Sequence, residues 1–364
     1  WHHQAALHRA VGSALGLPMG LLASLFRCSD EAIPRAAILA LPVSLFAGVL
    51  KHLEHHHEGW GDIINFSEEW QIKGAVFTTF TSLLAMLIVF RTSQAYSRYW
   101  EGVSLMQSIT GSFFDAASCL MSYASVSTAK ADRINEFRQT LVSLTSLLSA
   151  TCFAELLAVL PEAESHNIIA NQEVMGWSNF DEETRQNVQR DRSRVTLVFF
   201  WWQCCAVKAV KDKTITVHPS LVARSFQQVG KGLISFEAAL KLSRVPVPIS
   251  YTKITLWLLM IHSILTPLVM LSWSERPAIV FMFSFMLNFV YWALFLTSEE
   301  LEDPFGTDES DVDICSLQRN SNDCLRMLLS AGPQRTPRFA EASQGGKADL
   351  AKSRASFLCE GRTP

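Results

Sequence analysis

At 364 residues the chain is long enough for two ordinary domains or one larger assembly subunit. Only 18% of it is charged, mean hydropathy is +0.18, and 23 phenylalanines and 10 tryptophans stand against 5 tyrosines, which argues against a plain soluble enzyme. The 31 Lys and Arg against 34 Asp and Glu leave a net charge of -3 and no electrostatic case for nucleic-acid binding.

Residues 1–31 read as an amphipathic helix approaching a membrane, and the chain opens on Trp1 rather than methionine, as expected if a targeting segment has been removed. "AIPRAAILALPVSLFAGVL" predicts a first membrane helix over 32–53, broken or kinked near its start by Pro34 and Pro42. "GAVFTTFTSLLAMLIVF", residues 74–90, predicts a second over 72–92. Residues 93–250 carry apolar residues at helical spacing with Ser, Thr and charges between them. They predict an extramembrane domain of long amphipathic helices, with a loop and a short exposed helix over 161–193 and Pro219 opening a later helix. "ITLWLLMIHSILTPLVMLSW" and "AIVFMFSFMLNFVYWALFL" predict the third and fourth membrane helices within 251–298, with Pro267 as a kink. An acidic segment occupies 299–325. The apolar period fades from about residue 320, and 326–364 read as a disordered tail. No strand alternation or internal repeat is visible, and the eight cysteines, without a CxxC pair, are expected as mostly buried free thiols. One such segment would suit a soluble α-helical core, but four make an all-α integral membrane protein.

The second segment has two unlike faces. At 100° per residue Ala75, Thr78, Thr79, Ser82 and Met86 share one side, with Leu83 beside them; Phe77, Phe80, Leu84, Leu87 and Ile88 share the other. A small, hydroxylated face lets helices pack closely or lines a narrow path through an oligomer. The segment runs out through "FRTSQAYSRYWEG", residues 90–102, with no glycine or proline to turn the chain until Gly102. If the helix continues, Arg91 and Arg98 fall on one side, Glu101 lies one turn past Arg98, and the small face is carried into a water-filled region. An interfacial girdle of charges and aromatic anchors is the alternative.

"LLAMLIVFRTSQAYSRYWEG" resembles the second-helix signature of the bestrophin family, particularly its plant, algal and bacterial branch. "RVPVPISYTKITLWLL", residues 244–259, resembles the Pro-x-Pro entry into that family's third membrane helix, and "EELEDPFGTDESDVDICSLQRN", residues 299–320, its acidic PFG segment. The three blocks stand in order and span roughly residues 30–325. The resemblance implies a homopentameric channel for chloride and other small anions such as bicarbonate or nitrate. Each subunit would supply four membrane helices and a helical extramembrane domain around one axial pore, with the second helix lining its neck.

On that reading Ala75, Thr78, Thr79, Ser82, Leu83 and Met86 line the neck, at the near-3.5 spacing an inner ring of helices requires. Many relatives place Ile and Phe there, so a register presenting Phe77 or Phe80 is the alternative. Lys73 near one mouth and Arg91 and Arg98 near the other are the expected anion attractors, against structural pairing of either arginine with Glu101 or a helix C-terminus. Animal members hold calcium in this acidic segment. The matching positions are Glu300, Asp303, Asp308 and Asp311, which would give hard oxygen ligands or a solvated acidic cap; no cofactor is required. In "KHLEHHHEGW", residues 51–60, His52, His55, His56 and His57 are candidates for pH sensing, with metal binding and simple solvation as alternatives. The branch implies a thylakoid or other chloroplast membrane. Two other functional readings stand beside the channel: a non-conducting scaffold of the same fold that binds partner proteins, and a metalloenzyme needing the histidines and acids on one side of the membrane. No nucleophile elbow, phosphate loop or HExxH motif supports an enzyme.

Overall fold

The computed structural model describes residues 32–56, 67–157, 173–191, 193–305 and 311–330, with side chains except those of 55–56 and 67–73. The amphipathic helix expected before residue 32 lies outside these residues, as do His57, Asp308 and the chain from 331. Among the described residues every regular element is a helix: α1 Ala32–His56, α2 Ser67–Ser125, α3 Ala131–Leu157, α4 Glu182–Arg190, α5 Arg194–Lys211, α6 Pro219–Arg244, α7 Ile249–Leu271, α8 Pro277–Glu300 and α9 Ile314–Leu329, with a single 3-10 turn at Trp177–Asn179.

Helices α1, α7, α8 and the first part of α2 form the membrane half. Ala32, Ala36, Ala40, Ser44 and Ala47 make a fully buried stripe along α1 at three- and four-residue spacing, against which α8 lies along its length. Small residues at that spacing let two backbones approach where no hydrophobic driving force separates helix from lipid. The remaining faces are apolar and turned outward, as at Ile38, Phe46, Trp257, Ile264 and Met286. The break or kink expected at the start of α1 is not a break: the helix runs unbroken through Pro34 and Pro42. Pro34 sits in the first turn, where its missing N–H has no intrahelical partner to lose.

The extramembrane half is built on the rest of α2. No proline interrupts Ser67–Ser125, so one 59-residue helix, about 88 Å long, serves both halves. Its buried positions step from Leu84, Ile88, Arg91 and Ala95 to Met106, Ile109, Phe113, Ala116 and Leu120. The lower part lies along α6, so closely that a Cβ on Gly232 would stand 2.4 Å from the Phe113 ring. The Ser108 and Ser235 hydroxyls bond across the same seam at 2.9 Å.

Helix α3 corrects the count of apolar segments. Among the described residues five helices, not four, are long and apolar enough to cross a membrane, and α3 is the fifth. Of its apolar window 78% is buried inside the subunit, against 22–50% for the other four, so its hydrophobicity is spent on the bundle core and not on lipid. Buried Trp202 of α5 donates its indole N–H to Thr145 Oγ1 of α3 at 3.0 Å.

Two further expectations change. The fading apolar period near residue 320 does not begin the tail: α9 continues to Leu329 and docks on α3. Its buried positions include Gln318 and Asn322: the Ser146 hydroxyl donates to Asn322 Oδ1 at 2.7 Å, and the amide nitrogens of both donate to the Glu173 carbonyl, while Gln318 Oε1 is left without a partner. The six described cysteines are unpaired, but only Cys152 is buried; Cys204, Cys315 and Cys324 are exposed. Cys205 is half-buried, and desolvation pushes its thiol up to about 11. The short helix within 161–193 is α4, and Pro219 opens α6 with the His218 ring accepting from the Ser220 amide.

Candidate functional site

Between Gly74 and Ser104 helix α2 divides into the two faces its sequence contains. Phe77, Leu84 and Ile88 are buried against α7 and α8, and Phe80 and Leu87 are half-buried. Ala75, Thr78, Thr79, Ser82, Leu83 and Met86 are all exposed in the subunit, Met86 at 73% and Leu83 at 59%. The residues assigned to a neck therefore share the face that the subunit leaves uncovered. Phe77, the alternative, is turned inward and stacks on His262 at 5.5 Å; Phe80 is 6.4 Å from the same ring. Two tyrosines fix the angle of α2 from behind. Tyr251 of α7 donates its hydroxyl to the Leu87 carbonyl at 2.9 Å, and Tyr291 of α8 donates to the Thr81 carbonyl at 3.2 Å.

The hydroxyls of the exposed face have a specific local chemistry. Thr78 donates to the Gly74 carbonyl at 2.9 Å, Thr79 to Ala75 at 2.9 Å and Ser82 to Thr78 at 2.8 Å. Each proton is thus committed to the backbone one turn back, and the lone pairs face outward. An anion at this surface is bound only when a hydroxyl rotates and exchanges one acceptor for another. That exchange is nearly balanced in energy, which favours passage over capture.

The arginines expected to attract anions are turned to another task. Arg91 is 2% exposed, pairs through Nη2 with Glu302 Oε2 at 3.5 Å, and lies over the Phe295 ring at 4.2 Å. Arg98 donates to the carbonyls of Leu242 at 2.8 Å, Val245 at 3.0 Å and Glu302 at 3.3 Å, and so caps the C-terminus of α6. This is helix-end capping and not a pair with Glu101. Glu302 completes the clamp by accepting from the Val247 amide at 2.9 Å. Arg91, Arg98 and Asp303 meet with Lys253 and Glu302 around one pocket of about 420 Å³, whose wall is otherwise largely apolar.

Gly102 explains why the PFG segment can dock here: a Cβ on it would stand 2.7 Å from Pro304 Cγ, and Phe305 is fully buried beside it. Among the described residues no three His, Cys, Asp or Glu side chains come together to hold a metal ion. Glu300 and Asp311 are half-buried, while Asp303 is exposed and accepts from the Phe305 amide at 3.3 Å. In the described part of the acidic segment the engaged carboxylate is Glu302, which is absent from the matched calcium positions, while Asp308, the remaining matched position, lies outside the described residues.

At the other end of α7, Lys51 donates to the Leu271 carbonyl at 3.1 Å and pairs with Glu54 at 3.0 Å. His52 is exposed beside it; His55 and His56 continue α1, and Lys73 lies in α2, with side chains outside those described. The histidine end of α1 thus sits at the C-terminus of α7, and the acidic clamp at its N-terminus.

Sequence reasoning passed over Glu302, Tyr251, Tyr291 and His262. A histidine within an otherwise apolar 20-residue segment was the available signal for the last.

A family model described as Bacterial/Fungal Bestrophin protein matches residues 20–326. A voltage-dependent anion channel-forming protein of Synechocystis sp. is 22% identical over 281 residues, which cover 74% of this chain and 81% of the relative. A bacterial bestrophin homologue from Klebsiella pneumoniae shares the fold with a TM-score of 0.64 at 15% identity, over 82% of this chain and 98% of the homologue. A substituted form of it gives 0.63 at 15% identity, over 81% and 98%.

Proposed function

Because the chain belongs to the bacterial and fungal bestrophin family, we propose that it is a homopentameric anion channel whose neck is lined by the exposed face of α2. The observation that carries the proposal is the division of α2: Phe77, Leu84 and Ile88 are buried behind it, while Ala75, Thr78, Thr79 and Ser82 stand uncovered together with the bulkier Val76, Leu83 and Met86. Five such faces around an axis make a narrow polar path. An apolar cavity of about 610 Å³, walled by α2 and α8 and lined in part by Thr78 and Ser82 themselves, opens beside this face.

Chloride is the first permeant ion on this reading, with bicarbonate and nitrate next because neck hydroxyls bind any small anion by the same exchange. Lys73, at the histidine end of α2, supplies positive potential at one mouth. Resemblance to the plant and algal branch supports a thylakoid membrane as the location, which fractionation tests.

Purified protein in a planar bilayer under a chloride gradient tests the function. The expected reversal lies near the chloride equilibrium potential, and exchanging chloride for bicarbonate shifts it by their permeability ratio. Silence from protein shown to be pentameric overturns the channel and leaves the non-conducting scaffold.

A further inference from the structure

Behind the neck lies an ionisable side chain for which conduction has no use. His262, on α7, is fully buried in the membrane half. Its ring stacks on Phe77 at an interplanar angle of 16°, and Tyr291 of α8 lies 4.7 Å away. Nδ1 is 3.4 Å from Thr266 Oγ1, which donates to the backbone carbonyl of His262 itself at 2.7 Å. Nε2 has no hydrogen-bond partner. The ring is thus faced by Phe77 and Phe80 from α2, Tyr291 from α8 and Thr266 from its own helix. Tyr291 is the titratable group among these, and no carboxylate or cation stands with them.

An imidazole so placed is tolerated only as the uncharged ring, because hydrocarbon and aromatic faces give a cation no counter-charge and no water. A proton added at Nε2 creates a donor with no acceptor. The charged ring must leave the stack for water, and the partner it leaves is α2. Phe77 and Phe80 flank Thr78 and Thr79 in the chain, and Tyr291 holds the carbonyl of Thr81, so release of the ring loosens α2 at the level of the neck hydroxyls.

We propose that His262 is an acid-sensitive latch: neutral, it ties the buried face of α2 to α7 and α8 and keeps the hydroxyl face on the axis; protonated, it releases α2 and conduction is lost. The inference rests on the channel reading. It is separate from any effect of His52, His55 and His56, at the last turns of α1.

The test is chloride current in planar bilayers from about pH 8 down to about pH 4, for the wild type and for His262→Phe, which keeps a ring in the stack with nothing to protonate. His262→Gln is the second variant, polar and not titratable, should the phenylalanine form fail to fold. The wild type is expected to lose current by about tenfold on acidification, reversibly, while His262→Phe conducts at neutral pH and keeps its current in acid, and His262→Gln, which leaves the stack without a ring, carries a reduced current with no acid limb. The same acid limb in wild type and variants, or a flat wild-type profile, overturns the latch and leaves the channel standing. Silence of every protein at every pH, from folded pentamers, overturns the channel reading and the latch with it.

Discussion

Glu302 holds two parts of the subunit at once, receiving the Arg91 guanidinium through one oxygen and the Val247 amide through the other. Arg91 is 2% exposed, so removing the carboxylate strands a cation away from water. Stranding one member of a buried pair costs about 3 kcal/mol. Glu302→Ala is therefore expected to lower the unfolding midpoint of the detergent-solubilised protein by several degrees. Arg91→Met, which removes the charge and keeps much of the volume, should cost less. If the two substitutions destabilise equally, unpaired charge is not the cause. The partner of Arg91 was illegible in the sequence because 211 residues separate the two. Helical spacing makes Glu101 the nearest acid to both arginines, and only the tertiary fold brings Glu302 to Arg91. The two unlike faces of α2 were legible for the opposite reason: a helix wheel needs only local spacing, and α2 is continuous.

At the scale of elements, the four membrane helices could be read because about 20 apolar residues have few other uses. The docking of α9 could not, because between Ile314 and Leu325 its inward positions are Gln318 and Asn322, which periodicity counts as solvent-facing. Buried amides of this kind are stable only with partners, and those partners sit on α3 and beside it. The N-cap of α9 gives a pH prediction. Asp313 accepts from the Ser316 hydroxyl and backbone amide, at 2.5 and 2.9 Å, which holds its carboxyl below the ordinary aspartate value. Its folded-state pKa is depressed, so the stabilisation is present above the unfolded value and is lost as pH falls through the folded one. Because Asp313 is largely exposed, solvent screening keeps the effect small. Hydrogen exchange at the amides of α9 should quicken in that acid window and not in Asp313→Asn. Equal acid sensitivity in both proteins would assign the effect elsewhere.

The whole molecule sets a polar inner face against an apolar outer belt, and the two halves share one helix. On the proposed reading, conduction depends on hydroxyls whose protons rest on the backbone until an ion arrives. Replacing them isosterically, with Thr79→Val and Ser82→Ala together, removes the exchange without altering the width of the path. A net hydrogen bond is worth about 1 kcal/mol, so chloride current should fall about fivefold with pentamer assembly unchanged. An unaltered current would place the ion path on a different face of α2.

The seam between α2 and α6 also has a history in time. Ser108 and Ser235 meet across it, yet 127 residues of chain separate them. At about 5–20 residues per second, a ribosome needs about 6 to 25 seconds to supply the second after the first. For that interval the extramembrane stretch of α2 carries Phe113 and its neighbours with nothing to cover them, while its other end is already committed to the bilayer. The subunit's exposure to chaperones and proteases during synthesis is therefore concentrated on one stripe of one helix, and it ends when α6 leaves the exit tunnel.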